Sequence, residues 1–236
     1  MTESLRLSKR LARLLPCSRR EAELYIKGAW VRVDGVVVEE PHFRVTDEKI
    51  EVDPQAKAVP LEPVTLLLNQ PPEVDPDSAL QLISRASHSP DDPSERRVLK
   101  CHFTRLSPML PLQPGASGLA VFTQDRRVVR KLTEDADRFE QEYVVEVAGV
   151  LAPGGLERLQ YGLEFEGRVL PRIKVSWQNE TRLRFALKDP RPGQIRHMCE
   201  QVGLKVVAMK RIRIGRLPMA KLPAGEWRYM GHWERF

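Results

Sequence analysis

Apolar residues at helical spacing occur near the start of the chain. The leucines on one face of the predicted helix are Leu7, Leu11, Leu14 and Leu15. The rest of the circumference of this helix, over residues 5–15, is basic. Pro16 ends it, and Ser18 with Glu21 has the spacing of a capping box that starts a second helix, which Gly28 closes. The pattern therefore predicts two short amphipathic helices.

Short runs of β-branched residues follow the helices. Residues 30–33 and 36–38 flank the pair Asp34-Gly35, which is typical of a hairpin whose turn needs positive φ at both positions. A further strand is predicted over 49–52. The helices and strands together form a small first module, which we place at residues 1–53.

A change of composition separates this module from the rest of the chain. Residues 54–63 are rich in Pro and Ala and have no hydrophobic period, which is typical of a linker. A larger domain, residues 64–236, follows and begins with a buried strand over 64–69. Residues 72–97 are rich in Asp, Ser and Pro, so we expect a mobile surface loop there with a single helical turn.

The larger domain alternates between strand and helix patterns. Strands are predicted at 139–147, 161–167, 171–177 and 181–187. Helices are predicted at 126–132 and 154–160, and another apolar strand follows the Gly/Pro-rich stretch 111–118. Together these segments predict a mixed sheet with flanking helices, and with the first module an α+β protein.

Composition narrows the kind of partner. The chain has 236 residues, 42% of them hydrophobic, which is enough to build a real core. Its net charge is +6 and its sequence pI is about 9.4. This balance predicts an anionic partner, and nucleic acid is the commonest one for such a chain. The alternative is a surface that is merely basic, and the placement of the charges separates the two.

The sequence indicates neither a membrane segment nor a metal site. No apolar run reaches the roughly 18 residues that span a bilayer, and the N-terminus lacks the pattern of a secretory signal, so a cytoplasmic protein is expected. Cys17, Cys101 and Cys199 are odd in number and widely spaced, which favours reduced structural cysteines over disulfides or a zinc site. No cofactor is expected either.

Basic residues concentrate on the two N-terminal helices. The chain here resembles the S-four RNA-binding domain, a module named after a small-subunit ribosomal protein, in the runs L-S-K-R-L at 7–11 and S-R-R-E-A at 18–22 and in the hairpin after Gly28. A rigid helix pair that holds cations at phosphate spacing gives affinity with little sequence choice. The alternative for any one of these cations is a solvated helix face. The residues predicted to contact RNA are Lys9, Arg10, Arg13, Arg19, Arg20 and Lys27.

The stretch 111–125 carries a second resemblance. It reads P-L-Q-P-G-A-S-G-L-A-V-F-T-Q-D, with Gly118-Leu119 before an apolar strand and Thr123 and Asp125 at its end. It resembles the active-site loop of the RsuA/RluB/RluF-like family of rRNA pseudouridine synthases, whose pattern is R-L-D-x-D-x-x-G-L, an apolar strand and T-[ND]-[DG]. The resemblance implies the fold of these enzymes, a mixed and mainly antiparallel sheet with flanking helices.

The leading half of this loop departs from the family pattern. The Arg of the pattern falls on Pro111, its catalytic Asp on Gln113 and its second Asp on Gly115. In the family this carboxylate is understood to attack the target nucleotide, so that uracil is freed and rejoined through carbon. Covalent catalysis needs an ionised group, whereas the amide of Gln113 offers only hydrogen bonds. The sequence therefore predicts the scaffold of the family without its nucleophile.

Other positions match the family and take its roles by resemblance. Tyr143 lies in the pattern E-x-x-Y-x-V, whose Tyr stacks on the nucleotide. Ile195 and Arg196 lie in G-Q-I-R-H-M-C-E, where the family has an apolar residue that packs on the base and an Arg that pairs with the catalytic carboxylate. Arg196 has lost that partner, so we expect it to meet an RNA phosphate or to point into water. A second basic patch is predicted at Lys210, Arg211 and Arg213.

Three hypotheses follow from these patterns. The first is an RNA-binding member of the family that has lost its chemistry and acts in ribosome biogenesis or translation. The second is an active pseudouridine synthase with a displaced carboxylate, for which Asp75 and Asp125 are the acids to test. The third is a non-enzymatic S-four protein that binds ribosomal particles. All three predict a monomer whose partner is structured RNA, most simply ribosomal.

Overall fold

The computed structural model describes residues 4–72 and 74–236. Its contacts divide the chain into two compact units. One unit contains the described part of Met1–Pro63 together with Arg97–Arg105, and the other contains Val64–Arg96 and Leu106–Phe236. The first unit is thus built from two separate stretches of the chain, which the sequence pattern did not indicate.

In the first unit a two-residue strand precedes the helices, and the other short strands follow them. Its helices are α1 (Leu7–Leu14) and α2 (Arg19–Lys27). Its strands are β1 (Leu5–Arg6), β2 (Val31–Val33), β3 (Val36–Val37), β4 (Arg44–Val45) and β5 (Ile50–Val52). β1 pairs with β4, and β2 lies between β3 and β5 in an antiparallel sheet. The helix pair and the hairpin predicted from the sequence are confirmed.

Local sequence signals place the ends of these elements. Ser18 Oγ accepts a hydrogen bond from the Glu21 backbone N–H at 3.2 Å, and Glu21 Oε2 accepts one from the Ser18 backbone N–H at 2.7 Å. This reciprocal pair is the predicted capping box. In the hairpin turn, Asp34 has a φ of 49° and Gly35 a φ of 80°, as a two-residue turn of this type requires.

The core of the first unit lies under α1 and α2. Leu7 and Leu11 are buried together with Ile26. Leu14 is exposed, because it falls on the last residue of α1 and outside the contact with α2. The apolar stripe predicted for α1 therefore faces inward over two turns only, and the remaining surface of both helices is left to charged side chains.

The returning segment Arg97–Arg105 is held on the first unit by polar contacts. The Arg97 guanidinium donates to the Ala29 carbonyl at 3.0 Å and lies 3.9 Å from the centre of the Trp30 ring, a cation–π arrangement. The Lys100 backbone N–H donates to Glu39 Oε2 at 2.6 Å. Each contact depends on a single side chain, so no periodic pattern in the sequence predicted that this segment returns to the first unit.

A large sheet organises the second unit. In chain order the strands of this unit are β6 (Thr65–Gln70), β7 (Ser107–Met109), β8 (Ser117–Thr123), β9 (Glu140–Gly149), β10 (Glu164–Phe165), β11 (Arg168–Val169), β12 (Lys174–Trp177), β13 (Arg182–Lys188), β14 (Leu204–Ile214), β15 (Leu217–Pro218) and β16 (Trp227–Tyr229). Its helices are α3 (Pro76–Leu82), α4 (Arg126–Glu134), α5 (Gly155–Gln160) and α6 (Gln194–Glu200).

The sheet is mixed and mainly antiparallel. Within the described residues it has nine strands, in the path β12-β13-β9-β14-β8-β6-β16 with β7 beside β8 and β15 beside β14. β10 and β11 pair with each other in a separate two-stranded sheet. β8 and β14 run parallel, and the other pairs of the sheet are antiparallel. With the helices on it, this architecture confirms the α+β class predicted from the sequence.

The two faces of the sheet differ in character. Tyr143 and Val145 of β9 and Phe185 of β13 are fully buried and pack with residues of α5 and α6. The alternating positions, such as Glu142 and Arg184, point to the opposite face, because successive residues of a strand point to opposite sides. The helices thus cover one face of this part of the sheet, and charged side chains line the other.

The stretch between β6 and β7 has more structure than predicted. It contains α3, of seven residues, and later pairs with β16: the Ser89 backbone N–H donates to the Trp227 carbonyl at 2.8 Å, and the Trp227 N–H donates to the Ser87 carbonyl at 3.0 Å. Asp92 accepts a hydrogen bond from the Tyr229 N–H at 2.7 Å. The prediction of a loop with a single helical turn is therefore wrong, because the backbone finds partners on a distant edge strand.

Candidate functional site

The stretch 110–119 leads into β8 and is fitted closely to β14. Gly118 has a φ of 104°, and a Cβ there would lie 2.2 Å from the Arg211 carbonyl oxygen. A clash with backbone is not relieved by moving a side chain, so glycine is what allows β8 to lie beside β14 at this point. The matched Gly of the family pattern thus has a steric reason in this chain.

Gln113 occupies the centre of this stretch and is 4% exposed. Its Nε2 donates to the Arg191 carbonyl at 2.9 Å and to the Pro190 carbonyl at 3.2 Å. The two bonds fix which end of the amide is which, because only the nitrogen can donate. Oε1 is buried, and no hydrogen-bond partner for it is found within the described residues. The side chain therefore ties the stretch 110–119 to the turn before α6.

Arg211 lies beneath the same stretch and is fully buried. Its Nε donates to the Leu119 carbonyl at 2.8 Å, and its Nη1 donates to the Leu110 carbonyl at 2.7 Å and to Gln141 Oε1 at 2.8 Å. Desolvation lowers the pKa of Arg211, and the adjoining Tyr143 opposes that shift. Backbone and amide oxygens, with no carboxylate from the described residues, surround this cation.

Burial corrects one predicted RNA contact. Arg211 was expected to contact RNA as part of a basic patch, but its side chain has no exposed surface in this structure. Its donors are directed to the protein's own carbonyls instead. The sequence signal was misleading because a basic run on a strand alternates between the two faces, and only the three-dimensional packing shows which residues are enclosed.

Tyr143 and Ile195 meet in the core beside this site. Both are fully buried and share a cluster with Ala116 of the stretch 110–119. The Tyr143 hydroxyl donates to Gln141 Oε1 at 3.1 Å. The structure thus places Tyr143 and Ile195 in one cluster, but neither side chain has exposed surface. Both would have to become exposed to contact a base, so that role stays a prediction. Gln141 links Tyr143 to Arg211 and was missed, because one polar residue in an alternating strand carries no signal.

Arg196 lies on α6 and is exposed. A Cβ placed on Gly115 would lie 3.6 Å from Arg196 Nη2, so the guanidinium reaches over the stretch 110–119. No ion pair or hydrogen bond joins it to the rest of the described chain. The guanidinium is thus available to a ligand at the mouth of the candidate site, and it points to solvent in this structure.

The basic residues of the first unit lie on its surface. Arg10 is half-buried, and the exposed members of the group are Lys9, Arg13, Arg19, Arg20 and Lys27. Glu23 lies 3.7 Å from Arg19 and 4.0 Å from Lys27, so one carboxylate serves two cations. The helix pair therefore carries an excess of positive charge that its own side chains leave uncompensated.

The remaining cations of the predicted second patch are partly engaged. Lys210 is half-buried. Arg213 donates to Glu142 Oε2 at 2.6 Å and to Glu140 Oε1 at 2.7 Å. These two carboxylates are close in sequence to Tyr143 but lie on the opposite face of β9 from it. Arg213 is therefore part of an ion-pair network away from the candidate site.

The two acids proposed as displaced nucleophiles begin helices. Asp125 caps α4, with Oδ1 accepting from the Arg127 N–H at 2.8 Å and Oδ2 accepting from Arg127 Nη2 at 2.8 Å. The hydrogen bond from the Arg127 side chain is the main reason that the pKa of Asp125 is lowered. Asp75 Oδ1 accepts from the Ser78 N–H at 2.9 Å. Both carboxylates are thus engaged in local structure.

Neither a metal cluster nor a spanning helix is found in the part of the chain that the structure describes. No group of three or more His, Cys, Asp or Glu side chains there is arranged to hold a metal ion. The described helices are too short and too polar to cross a bilayer. Cys199 is buried, and desolvation raises the pKa of its thiol to about 12, which leaves it protonated and inert at neutral pH.

Known proteins resemble the chain over nearly its whole length. Residues 5–50 match the model of the S4 domain. The ribosomal large subunit pseudouridine synthase B of Bacillus subtilis is 30% identical over 94% of this chain and 91% of its own. The chain belongs to the RsuA/RluB/RluF-like family of pseudouridine synthases. The dual-specificity RNA pseudouridine synthase RluF of Escherichia coli is 27% identical over 95% of this chain and 75% of its own.

The fold of the family is also seen in a solved structure. A crystal structure of a pseudouridylate synthase aligns with a TM-score of 0.59 at 20% identity, and the alignment covers 96% of both chains. At this identity the likeness concerns the fold. It agrees with the mixed sheet and flanking helices described above, so the architecture predicted from the resemblance is confirmed.

Proposed function

We propose that this chain binds structured RNA, most simply ribosomal RNA, in ribosome biogenesis or translation, and that it does not convert uridine to pseudouridine. The observation that carries the proposal is the amide of Gln113, held by the Pro190 and Arg191 carbonyls where the family pattern has its carboxylate. A neutral amide with this bonding cannot act as the nucleophile.

The surroundings of Gln113 support the same conclusion. The carbonyls of Pro190 and Arg191 would face a carboxylate with negative ends of dipoles, at the distances where they now accept hydrogen bonds from Nε2. The turn before α6 is therefore matched to a donor at position 113. A charged nucleophile would need this turn to rearrange, so the departure from the family pattern involves the backbone as well as one side chain.

RNA binding is supported by the first unit. It matches the S4 domain and presents exposed cations on both helices, with Glu23 as the acid between two of them. Relatives that match nearly the whole chain are named as a dual-specificity RNA pseudouridine synthase and a ribosomal large subunit pseudouridine synthase. Phosphate contacts of this kind depend on exposed charge and not on the chemistry at residue 113, so they survive the loss of the nucleophile.

A displaced carboxylate is the weaker alternative. Asp125 and Asp75 are tied to the starts of α4 and α3 by hydrogen bonds. Freeing either carboxylate would uncap a helix, which costs about 1 kcal/mol, and Asp125 is paired with Arg127 as well. A non-enzymatic S4 protein that binds ribosomal particles, with the larger domain as a protein-interaction platform, fits the first unit equally well, and no observation on the larger domain favours it.

Tritium release from RNA labelled at uridine tests the proposal. We expect no release above background from the wild-type protein, while the Bacillus subtilis relative on its own substrate serves as the positive control. Gln113→Asp alone should not restore full activity, because Pro111 and Gly115 also depart from the pattern. Robust turnover by the wild type would overturn the catalytic half of the proposal.

Retention of ribosomal RNA on filters at moderate salt tests the other half. We expect the full chain to retain RNA. Failure to do so would overturn the binding half, whatever the outcome of the tritium assay.

A further inference from the structure

The sheet face opposite Tyr143 contains a groove that none of the roles above uses. It is a cavity of about 770 Å³ over the ends of β9, β12, β13 and β14. Its cationic lining residues are Arg172, Lys174, Arg184, Lys188 and Arg213, and its anionic ones are Glu140 and Glu142. We call it the reverse-face groove. Five cations against two carboxylates give it a net charge of +3.

Both carboxylates of the groove are already neutralised by its own cations. Glu142 has a side chain that is 5% exposed and accepts from the Nε atoms of Arg184 and Arg213. Glu140 Oε1 accepts from Arg213 Nη2 at 2.7 Å, and Lys174 Nζ lies 3.7 Å from its Oε2. The hydrogen bond from Arg213 is the main reason that the pKa of Glu140 is lowered, so Glu140 stays ionised and paired at neutral pH.

Some cations of the reverse-face groove have no anionic partner. Arg172 and Lys188 are exposed, and neither makes an ion pair or hydrogen bond with another described residue. Arg184 uses Nε for Glu142, while its side chain is 50% exposed. A sheet face that needed only cross-strand ion pairs would balance its signs. The surplus here lies along the rim of a cavity, where it meets solvent.

The spacing of the cations in the groove favours a chain of phosphates over a single phosphate ion. Arg184 and Lys188 lie on the same face of β13 four residues apart, which is about 13 Å along a strand. Lys174 stands opposite Ala186 in the next strand, between them. A single phosphate is too small to reach both ends of this row. Guanidinium groups with unused Nη donors bind phosphate oxygens in a bidentate way.

We propose that the reverse-face groove binds successive phosphates of an RNA strand and is a second RNA contact of the larger domain, on the face of the sheet away from Gln113 and Arg196. The contact rests on the RNA binding proposed above and is independent of whether the protein is catalytically silent. Because it recognises phosphates, it adds affinity and salt dependence but no base preference.

The test is a double substitution of the two unpaired cations. Fluorescence anisotropy with a labelled ribosomal RNA fragment is measured across a series of salt concentrations for the wild type and for Arg172→Gln combined with Lys188→Gln. We expect the double variant to bind about threefold to tenfold more weakly and to lose about one to two from the slope of log K against log salt. Both side chains are exposed, so thermal unfolding should be unchanged.

A matched control removes the same charge elsewhere in the unit. Arg158→Gln combined with Arg168→Gln takes two exposed cations from α5 and β11, outside the groove. We expect this control to keep the wild-type salt slope. Equal binding by wild type and groove variant, or an equal loss in the control, would overturn the groove while leaving RNA binding itself intact. Absence of RNA binding by the wild type would overturn both proposals.

Discussion

The candidate site and the first unit keep their cations in opposite environments. Arg211 is fully buried; its Nε and Nη1 donate to the Leu119 and Leu110 carbonyls and to Gln141, and no partner for Nη2 is found within the described residues. Lys9 and Arg20 are exposed and have no partner among the described residues. Burial makes the charge of Arg211 costly, as the lowering of its pKa by desolvation shows. The exposed cations cost the fold almost nothing.

This difference separates stability from binding. Side chains of the candidate site hold the stretch 110–119 in place, because their donors meet backbone carbonyls of that stretch and of the turn before α6. Exposed cations of the helix pair such as Lys9 and Arg20 make no contact that supports the fold, so they are free to meet phosphates. Substitutions in the two regions should therefore move different observables, unfolding free energy in one and RNA affinity in the other.

The largest effect is expected at Arg211. Arg211→Met keeps much of the volume but removes the guanidinium donors from the Leu110 and Leu119 carbonyls, while Gln141 Oε1 keeps only the bond from the Tyr143 hydroxyl. Each unsatisfied buried acceptor costs about 1–3 kcal/mol, and relief of the desolvated charge offsets part of the sum. We expect a loss of about 3–5 kcal/mol in the free energy of unfolding, measured by urea titration.

Lys205→Met is the control for Arg211→Met. It removes an exposed cation from the same strand, and we expect it to stay within about 0.5 kcal/mol of the wild type. A loss below about 1 kcal/mol in Arg211→Met would mean that water can replace the guanidinium, and the division between the two regions would then fail.

Gln113→Glu should have the next largest effect. The new carboxylate would be buried against the Pro190 and Arg191 carbonyls, which lose their donor. We expect a loss of about 2–3 kcal/mol at neutral pH. Burial raises the pKa of such a carboxyl above its unfolded value, so the penalty applies at high pH and shrinks as pH falls through the folded pKa, where the protonated group can donate again.

Gln113→Met separates the charge from the lost hydrogen bonds at the same position. It removes both donors without adding a charge, so we expect a smaller loss, of about 1–2 kcal/mol, that does not vary with pH. Urea titrations of both variants from acid to neutral pH provide the measurement. If the two variants had the same free energy of unfolding at every pH, the site would tolerate a carboxylate. A nucleophile at position 113 would then be physically possible.

Sequence predicted the elements well and the contacts between them less well. The capping box at Ser18 and the Asp34-Gly35 turn depend on neighbouring residues, so local spacing was sufficient to find them. The burial of Arg211 depends on β14 lying between β8 and β9, and the pairing of 87–89 with β16 joins residues far apart in the chain. Neither leaves a period or a motif in the sequence, and both therefore went unseen.

Gln113 is a second case in which the sequence does not reveal contacts between distant residues. The departure from the family pattern was readable from one residue, but the hydrogen bonds of its amide to Pro190 and Arg191 were not. Those residues are more than seventy positions away, and only the fold brings them together. The resemblance predicts the role of the position, and the hydrogen bonds describe how the present side chain is held there.

A smaller effect is expected at the cap of α2. Ser18→Ala removes the acceptor for the Glu21 N–H and should destabilise the first unit by about 1 kcal/mol, whereas Ser18→Thr should retain the cap. The hydrogen bond from the Ser18 backbone is the main reason that the pKa of Glu21 is lowered. Its contribution is therefore present above the unfolded pKa of about 4.3 and is lost as pH falls through the folded pKa.

Circular dichroism of the first unit's melting, in the full chain at pH 7 and below pH 4, checks the cap. We expect both proteins to lose stability at the lower pH and the gap between them to change little, because the residue-18 backbone N–H that donates to Glu21 remains in Ser18→Ala. RNA affinity should be unchanged at pH 7, because neither Ser18 nor Glu21 supplies a cation. A loss of RNA binding with an intact melting transition would show that the cap and the binding surface are not separable in this unit.

The smallest effect on stability is expected where the effect on binding is clearest. Lys9→Gln removes an exposed cation from α1 and should leave the free energy of unfolding within about 0.5 kcal/mol of the wild type. RNA affinity should fall about threefold to tenfold, with a salt slope reduced by about one. Lys57→Gln, an exposed lysine of the same unit outside both helices, is the matched control and should change neither. Equal losses of affinity in the two variants would show that net charge, and not the helix pair, attracts the RNA. Arg211 and Lys9 would then differ only in their exposure to solvent, and not in a division between stability and RNA binding.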